Sequence, residues 1–365
     1  MLRLAVPALA VLLLAPACGP STGGTPLDAP TASDGPVGPE EHRDAALPGD
    51  VTFFAMGDPQ YGGGPSDKND FQIRAMNGFP GKHWRDELPS AGTEVAAPRG
   101  VIIAGDLTQN GQDDRALIGD SDEIGGFLRD YGLTGSDGQL RFPVYEGWGN
   151  HDYDAGYAAG PDTLWRLAYN GATPAVEAVV DRNPSRPGLA AVAPDRDGAY
   201  SWDWDHVHFV QLNLFPGDAP SMVEADSKLR DPRRSLTFLH DDLARIEACR
   251  PVVIIFHYGF DDFGLEPRWW TDEQRDAFAQ AIEGHNVIAL LHGHTHTTAL
   301  YEWRGIPVLD VGSPFYDLPD GHGHFAVVRI TDRIEAADVQ WTSGAGGADT
   351  EYGSWWLSQA IDGCR

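Results

Sequence analysis

The 365-residue chain is short of cysteine and of positive charge, and it has no long apolar run. Its three cysteines stand at positions 18, 249 and 364. With Cys18 set aside (see below), one pair remains, Cys249 with Cys364, which an exported protein can join to clamp its C-terminal tail. Lysine and arginine total 26 against 54 aspartates and glutamates, a net charge of −28. That balance argues against non-specific nucleic-acid binding and against attraction to anionic lipid. It suits solubility outside the cell, and any anionic substrate must be drawn in locally against the global field. Beyond the N-terminus no stretch is apolar for long enough to cross a bilayer.

The N-terminus itself runs Met1-Leu2-Arg3, then apolar from 4 to 14, then Ala15-Pro16-Ala17-Cys18. A short charged start, an h-region too short to span and small residues before a cleavage point predict an export signal over residues 1–17. Cys18 directly after those small residues fits lipoprotein processing with a diacyl anchor, hence a periplasmic or cell-surface protein. Ala15-Pro16-Ala17 equally suits an ordinary signal peptidase and plain secretion. Residues 18–50, rich in Gly, Pro, Ser, Thr and Ala, predict a disordered tether. The main domain is expected over 51–345, with 346–365 as a tail packed upon it.

Apolar periodicity predicts strands at 51–56, 101–104, 143–148, 199–204, 207–214, 252–256 and 287–291, then at 298–303, 308–311, 325–330 and 334–341. Helices are expected at 67–78, 122–131, 161–169, 235–248 and 271–282, the last from a Thr N-cap with acidic residues in its first turn. A loop is expected over 183–198. Strands alternating with helices and then strands alone imply an α/β fold of stacked sheets flanked by helices.

Five segments bearing acid, amide and imidazole groups follow one another in order: Gly57-Asp58-Pro59-Gln60, Gly105-Asp106-Leu107-Thr108, Gly149-Asn150-His151-Asp152, Phe256-His257 and Gly293-His294-Thr295-His296. Most follow an apolar, β-branched run, so they lie at the carboxyl ends of buried strands, where α/β folds build their sites. This is the donor set of a metal-dependent hydrolase. Phosphoester hydrolysis is served by two divalent cations about 3.5–4 Å apart that activate a bridging water and hold the phosphoryl oxygens. Asp106 suits the bridging carboxylate and Asp58 a second one, while Asn150, His257, His294 and His296 offer neutral donors. If residues 293–296 are extended, His294 and His296 point the same way and converge on the pair.

This order resembles the calcineurin-like metallophosphoesterase superfamily, with its Asp-x-His, Gly-Asp, Gly-Asn-His-Asp/Glu, His and Gly-His-x-His segments. The likeness runs from residue 51 to about 341 and takes in Tyr200-Ser201-Trp202-Asp203 with His208-Phe209-Val210 as a shared hairpin. It implies a four-layer α/β/β/α sandwich. It further implies one metal site of Asp58, Asp106 and His296 and a second of Asp106, Asn150, His257 and His294. His151 would stabilise the transition state or protonate the leaving oxygen, with Asp152 orienting its imidazole. The chain departs from the pattern at Gln60, where the family places histidine; Asp-Pro-Gln resembles one branch that includes a eukaryotic cytosolic phosphatase group. As a variant ligand, Gln60 is a harder and weaker donor, tilting the two divalent ions toward Mn²⁺, Mg²⁺ or Fe²⁺ over Zn²⁺. Purple acid phosphatases carry a tyrosine three residues past the bridging aspartate; Gln109 stands there, so no tyrosinate–iron colour is expected.

The resemblance implies a hydrolase of small-molecule or protein phosphomonoesters. A phosphodiesterase is the alternative, because Gly105-Asp106-Leu107-Thr108-x-x-Gly111 is also similar to cyclic-nucleotide phosphodiesterases. A non-catalytic binding module is the remote one, disfavoured because His151 is kept. Other candidates read as structural: His292 beside the last segment, His206 and His208 in the hairpin, and Trp355-Trp356 in the tail. Trp269-Trp270 could rim the pocket, although burial is the default for tryptophan. Arg74 near Asn77 could meet a phosphate or cap a helix, and His322 and His324 are assigned no role.

Overall fold

The computed structural model describes residues 49–113, 122–153, 173–189, 197–222, 229–260, 269, 271–344 and 347–363. The chain divides into two units, Met1–Asp44 and Ala45–Arg365, and all described residues belong to the second. The expected export signal, nearly all of the tether, the helix at 161–169 and Cys364 lie outside the described residues. Among those described, no helix is long and apolar enough to cross a membrane.

Two six-stranded sheets carry the fold. The first contains β1 (Val51–Met56), β2 (Val101–Ile103), β3 (Val144–Glu146), β12 (Gly323–Ile330), β13 (Arg333–Gly344) and β14 (Gly347–Ala360), in the order β14-β13-β12-β1-β2-β3. The second contains β4 (Tyr200–Trp204), β5 (Val207–Gln211), β8 (Val252–Ile255), β9 (Val287–His292), β10 (Thr298–Trp303) and β11 (Ile306–Val311), in the order β10-β11-β9-β8-β5-β4. Strands β6 (Ser221–Met222) and β7 (Leu229–Arg230) form a separate small pair. β1, β2 and β3 run parallel, as do β5, β8, β9 and β11, so within each sheet the carboxyl ends lie on one side.

Alternation along the strands sorts the core into three layers. Phe53 and Ala55 face the second sheet, meeting Phe209, Val253 and Leu309. Phe54 and Met56 face the other way, onto α1 (Lys68–Gly78), α2 (Glu123–Tyr131) and α4 (Pro174–Arg182). Behind the second sheet, Val210, Ile254 and Leu290 pack on α5 (Ser235–Leu243) and α6 (Asp272–Ile282). The expected four-layer α/β/β/α sandwich is therefore what forms. A single turn, α3 (Asn150–Tyr153), follows β3.

Several boundaries differ from expectation. The supposed tail is β14, paired along most of β13, because Trp355 buries against the second sheet's face while Leu357 and Ile361 pack beside it. Exposed Trp356 instead stacks beneath the Arg85 guanidinium at 4.3 Å. Helix α5 stops at Leu243, so Leu239 and Leu243 are buried on it, while Leu236 and Ile246 sit at the core's margin. Helix α4 was not anticipated, although Thr173 caps it and Pro174 opens it. Within the expected 183–198 loop, Asn183–Ser185 is a 3₁₀ turn. Cys249 is disulfide-bonded, and Asn286 Nδ2 donates both to the Cys249 carbonyl and to that of Asp362 in the tail.

Candidate metal centre

Each ligand segment begins where a parallel strand ends: Gly57-Asp58 after β1, Gly105-Asp106 after β2, Gly149-Asn150 after β3, Phe256-His257 after β8 and Gly293-His294 after β9. Parallel strands leave no hairpin to continue the pairing, so the chain must turn sharply at that edge. Five of the ten non-glycine residues with positive φ among those described are here: Asp58 (56°), Gln60 (35°), Asp106 (52°), His294 (78°) and His296 (57°). Such backbone is costly, and its clustering marks a site that the surrounding fold over-determines. Gly105 (φ 97°) has a second reason to be glycine, since a Cβ there would lie 2.6 Å from His257 Nδ1.

The side chains converge into two groups of three, each with its ligand atoms within 4.8 Å of one another: Asp58, Asp106 and His296, and Asp106, His257 and His294. Asp106 belongs to both. Asn150 joins the second group, its Oδ1 3.0 Å from His257 Nε2. This is the division that the motif resemblance implies.

The reason for the histidines' convergence is not the expected one. Residues 293–297 are not a strand. His294 and His296 reach the site because both adopt left-handed backbone, and they serve different groups. His294 packs edge-on against Tyr258 and Trp269, with centroids 4.6 and 4.3 Å away. His296 lies flat on Phe315 at 4.5 Å. Trp269 thus stands at the site wall, while Trp270 lies outside the described residues.

Both carboxylates are fully buried. Asp58 accepts from the His294 backbone N–H at 2.9 Å. Burial, reinforced by the Asp106 charge, pushes its carboxyl up to about 8 against the pull of His257. Burial would raise Asp106 too, but His257 and His151 outweigh it and hold that carboxyl well below the usual range. Burial would lower His257, yet the Asp106 carboxylate drives it up to about 9. Burial lowers His296 to about 4. The His257 Nδ1–H donates to the Ala104 carbonyl at 2.8 Å, which turns Nε2 toward Asp106 Oδ2 at 3.3 Å. Once its Nε2 proton is displaced, an imidazole held this way would present one lone pair inward, as metal-bound histidines do.

Two buried acids, three imidazoles and an amide oxygen in a few ångströms fit divalent cations, which would relieve the proton demand of Asp58 and His257 directly. Gln60 is buried, its Nε2 3.3 Å from Asp106 Oδ2. The two ends of an amide are isosteric, so half a turn presents Oε1 to the same point.

Asp152 does not take the role expected of it. Its carboxylate accepts from the backbone N–H groups of Leu107 (2.9 Å), Thr108 (2.8 Å) and Gly149 (2.9 Å), and from the Thr108 hydroxyl (2.7 Å). It fastens the Gly105–Thr108 turn instead of the His151 imidazole. His151 donates its backbone N–H to Asp106 Oδ1 at 2.8 Å and its Nδ1–H to the Gln109 carbonyl at 2.9 Å.

Two neighbours escaped sequence reading. Lys68, buried at the start of α1, donates to the Gln60 carbonyl at 3.0 Å and lies 3.7 Å over the Phe315 ring. Burial lowers its ammonium to about 7, against the pull of Asp58. A lysine in a helix's first turn opposes the helix dipole, the one local signal that could have flagged it. Asn213 (φ 60°) accepts the His257 backbone N–H at 2.7 Å. The remaining candidates are structural. His292 pairs with the Tyr301 hydroxyl, His208 with Asp203 and Asp242, and His324 with Asp338 and Asp320. His206 faces the Thr331 carbonyl. Asn77 ties down Gln139 and Arg141, and Arg74 lies over Phe71.

No family model and no curated protein matches the chain. Solved structures do. They include GAP50, the anchor in the inner membrane complex of Plasmodium (10% identity over 87% of this chain and 90% of that one, TM-score 0.46). A dimetal phosphatase from Danio rerio is 15% identical over 86% of this chain and 99% of that one, TM-score 0.46. Purple acid phosphatase PPD1 from yellow lupin (Lupinus luteus) is 13% identical over 86% of this chain, TM-score 0.48, and this chain covers 54% of it. These are proteins of the calcineurin-like metallophosphoesterase fold.

Proposed function

We propose that the chain is a dinuclear metal-dependent phosphoester hydrolase, acting on phosphomonoesters outside the cytoplasm. The observation that carries this reading is the pair of three-ligand groups sharing Asp106. Asp58, Gln60, Asp106 and His296 would hold one cation, and Asp106, Asn150, His257 and His294 the other. When bound, such cations acidify water and neutralise charge on phosphoryl oxygens. The hard oxygen donor at Gln60 favours Mn²⁺, Fe²⁺ or Mg²⁺. The chain's own residues orient and exclude: Tyr258 and Trp269 wall one side of His294, and Phe315 backs His296. His151, half-buried beside Asp106, offers Nε2 to the leaving oxygen. The N-terminal signal and Cys18 support export and lipid anchoring.

The test compares hydrolysis of p-nitrophenyl phosphate and its bis-ester by the Mn²⁺-loaded protein, with Asp106→Asn as control and metal content measured alongside. Two equivalents of metal and monoester turnover abolished in the variant are expected. Preference for the bis-ester would replace the monoester reading. Two bound metals with no turnover of either would favour a binding module. Radiolabelled palmitate appearing on the wild type but not on Cys18→Ser checks the anchor.

A further inference from the structure

Strand β11 supplies no ligand, yet it lies between the two strands that the last ligand segment connects. The sheet order is β10-β11-β9, so residues 293–297, which lead from β9 into β10, must pass over the end of β11. The crossing covers two inter-strand spacings, roughly 10 Å. His294 and His296 lie on it, both with left-handed backbone, and each belongs to a different ligand group. Thr295, between them, is buried, and its hydroxyl donates to Oδ2 of Asp310 on β11. The Thr297 hydroxyl lies 3.3 Å from the same oxygen and 2.9 Å from that of Thr295. The Thr297 backbone N–H donates to Thr295 Oγ1 at 3.2 Å. Asp310 is buried too, opposite His292 of β9 on one side and Ala299 of β10 on the other.

We propose that Asp310 is the positioning residue of this ligand turn, fixing His294 and His296 together by holding Thr295, the residue between them. The proposal rests on the dinuclear metal reading above. Asp310 belongs to neither ligand group itself. A buried carboxylate needs donors, and here threonine hydroxyls of the turn provide them. Two left-handed residues in three are costly backbone, which persists only where the surroundings over-determine it. Pinning the midpoint supplies that constraint, and any shift of Thr295 moves an imidazole in each group.

Further bonds tie the same turn to the same strand. Ser313, just past the end of β11, donates its hydroxyl to the His296 carbonyl at 3.2 Å. The Thr298 hydroxyl donates to the Asp310 carbonyl at 3.4 Å and accepts from Trp355 Nε1 of β14 at 2.6 Å. On the opposite side, the His294 backbone N–H donates to Asp58 Oδ2 at 2.9 Å. Asp58 is a ligand whose charge a bound cation would share, whereas Asp310 holds the turn whether or not metal is present. The contact needs a hydroxyl at position 295. Thr295→Val keeps the branched shape and loses the donor, while Thr295→Ser keeps the donor and loses a methyl group.

The test uses the full chain, with Thr295→Val, Thr295→Ser and Asp310→Ala. Calorimetric titration of the chelator-stripped protein with Mn²⁺ reads the affinity of each metal equivalent, and urea unfolding in chelator reads stability apart from metal. Thr295→Val should weaken both equivalents by about tenfold, the lower end of what loss of a ligand's supporting contact costs. Thr295→Ser should bind both as the wild type does, and Asp310→Ala should weaken both at least as far as Thr295→Val. The Thr295 pair decides even if Asp310→Ala does not fold. A Thr295→Val protein that unfolds more easily in chelator yet binds both equivalents with wild-type affinity would overturn the proposal. So would a loss confined to one equivalent, since the pinned residue lies between the two imidazoles. A wild type that takes up no Mn²⁺ would defeat the dinuclear reading and this proposal with it. Weakened binding in variants of a protein without turnover would uphold Asp310 and defeat only the hydrolase reading.

Discussion

Gln60 is the residue at which donor chemistry should set the choice of metal. It lies against Asp106, the carboxylate common to both ligand groups, and as the proposed variant ligand its neutral amide oxygen would donate more weakly than imidazole. Gln60→His should tighten binding at one of the two sites on the order of tenfold, about 1.4 kcal/mol, and shift preference toward Zn²⁺. Calorimetric titration with Mn²⁺ and Zn²⁺ would show it, and equal weakening for both ions would mean that Gln60 is only a spacer. Asp152→Asn tests a different kind of residue. The amide keeps one acceptor but turns its NH₂ toward backbone donors, so the turn that carries Asp106 should lose roughly 2–3 kcal/mol. Urea unfolding in the presence of chelator measures this without any contribution from bound metal.

Between elements, His208 joins the β4–β5 hairpin to α5. Its Nδ1 and Nε2 each lie 2.7 Å from a carboxylate, of Asp203 and Asp242. Both partners accept, so both ring nitrogens donate and the imidazolium is the form the site suits. Burial opposes this charge, but the two acids outweigh it and raise His208 above its ordinary value. A raised histidine contributes stability that is complete below its unfolded pKa of about 6.5 and disappears as pH rises through the folded value. Unfolding free energy should therefore fall from pH 6.5 upward in the wild type and show a flatter slope in His208→Gln. Parallel slopes in the two proteins would remove His208 from the account.

At the scale of the molecule, the net charge of −28 opposes the approach of a phosphate ester. Raising ionic strength from 0.01 to 0.15 M shortens the screening length from about 30 to about 8 Å. That shields distant carboxylates more than groups within the site, so kcat/KM for a dianionic ester should rise over this range. A neutral ester analogue provides the control, and a fall with salt for the dianion would show that the local positive field dominates. The same scale explains the C-terminal strand. A short segment with Trp355 and Leu357 on one side and exposed Trp356 on the other looks like a tail when read alone, yet it completes the first sheet as β14.

Several features of this protein follow from its sequence alone, because they are local. Donor identity at each strand end is one. Others are the Thr271 capping box of α6 and the alternation that sends Phe53 and Phe54 to opposite faces of their sheet. Motif order carried the division of the ligands into two groups only through resemblance, and the structure supplies its cause. Asp58 and His294 are 236 residues apart and meet only because two sheets stack with their carboxyl edges together. The left-handed turns that aim His294 and His296 cannot be read from an extended pattern. Lys68, Asn213 and Gln109 likewise acquire their places from packing. Tertiary structure also decided between Asp152 and Gln109 as the neighbour of His151. Adjacency in sequence favours Asp152, but a buried carboxylate goes where the most backbone N–H groups converge, and here those are Leu107 and Thr108 of the Gly105–Thr108 turn together with Gly149.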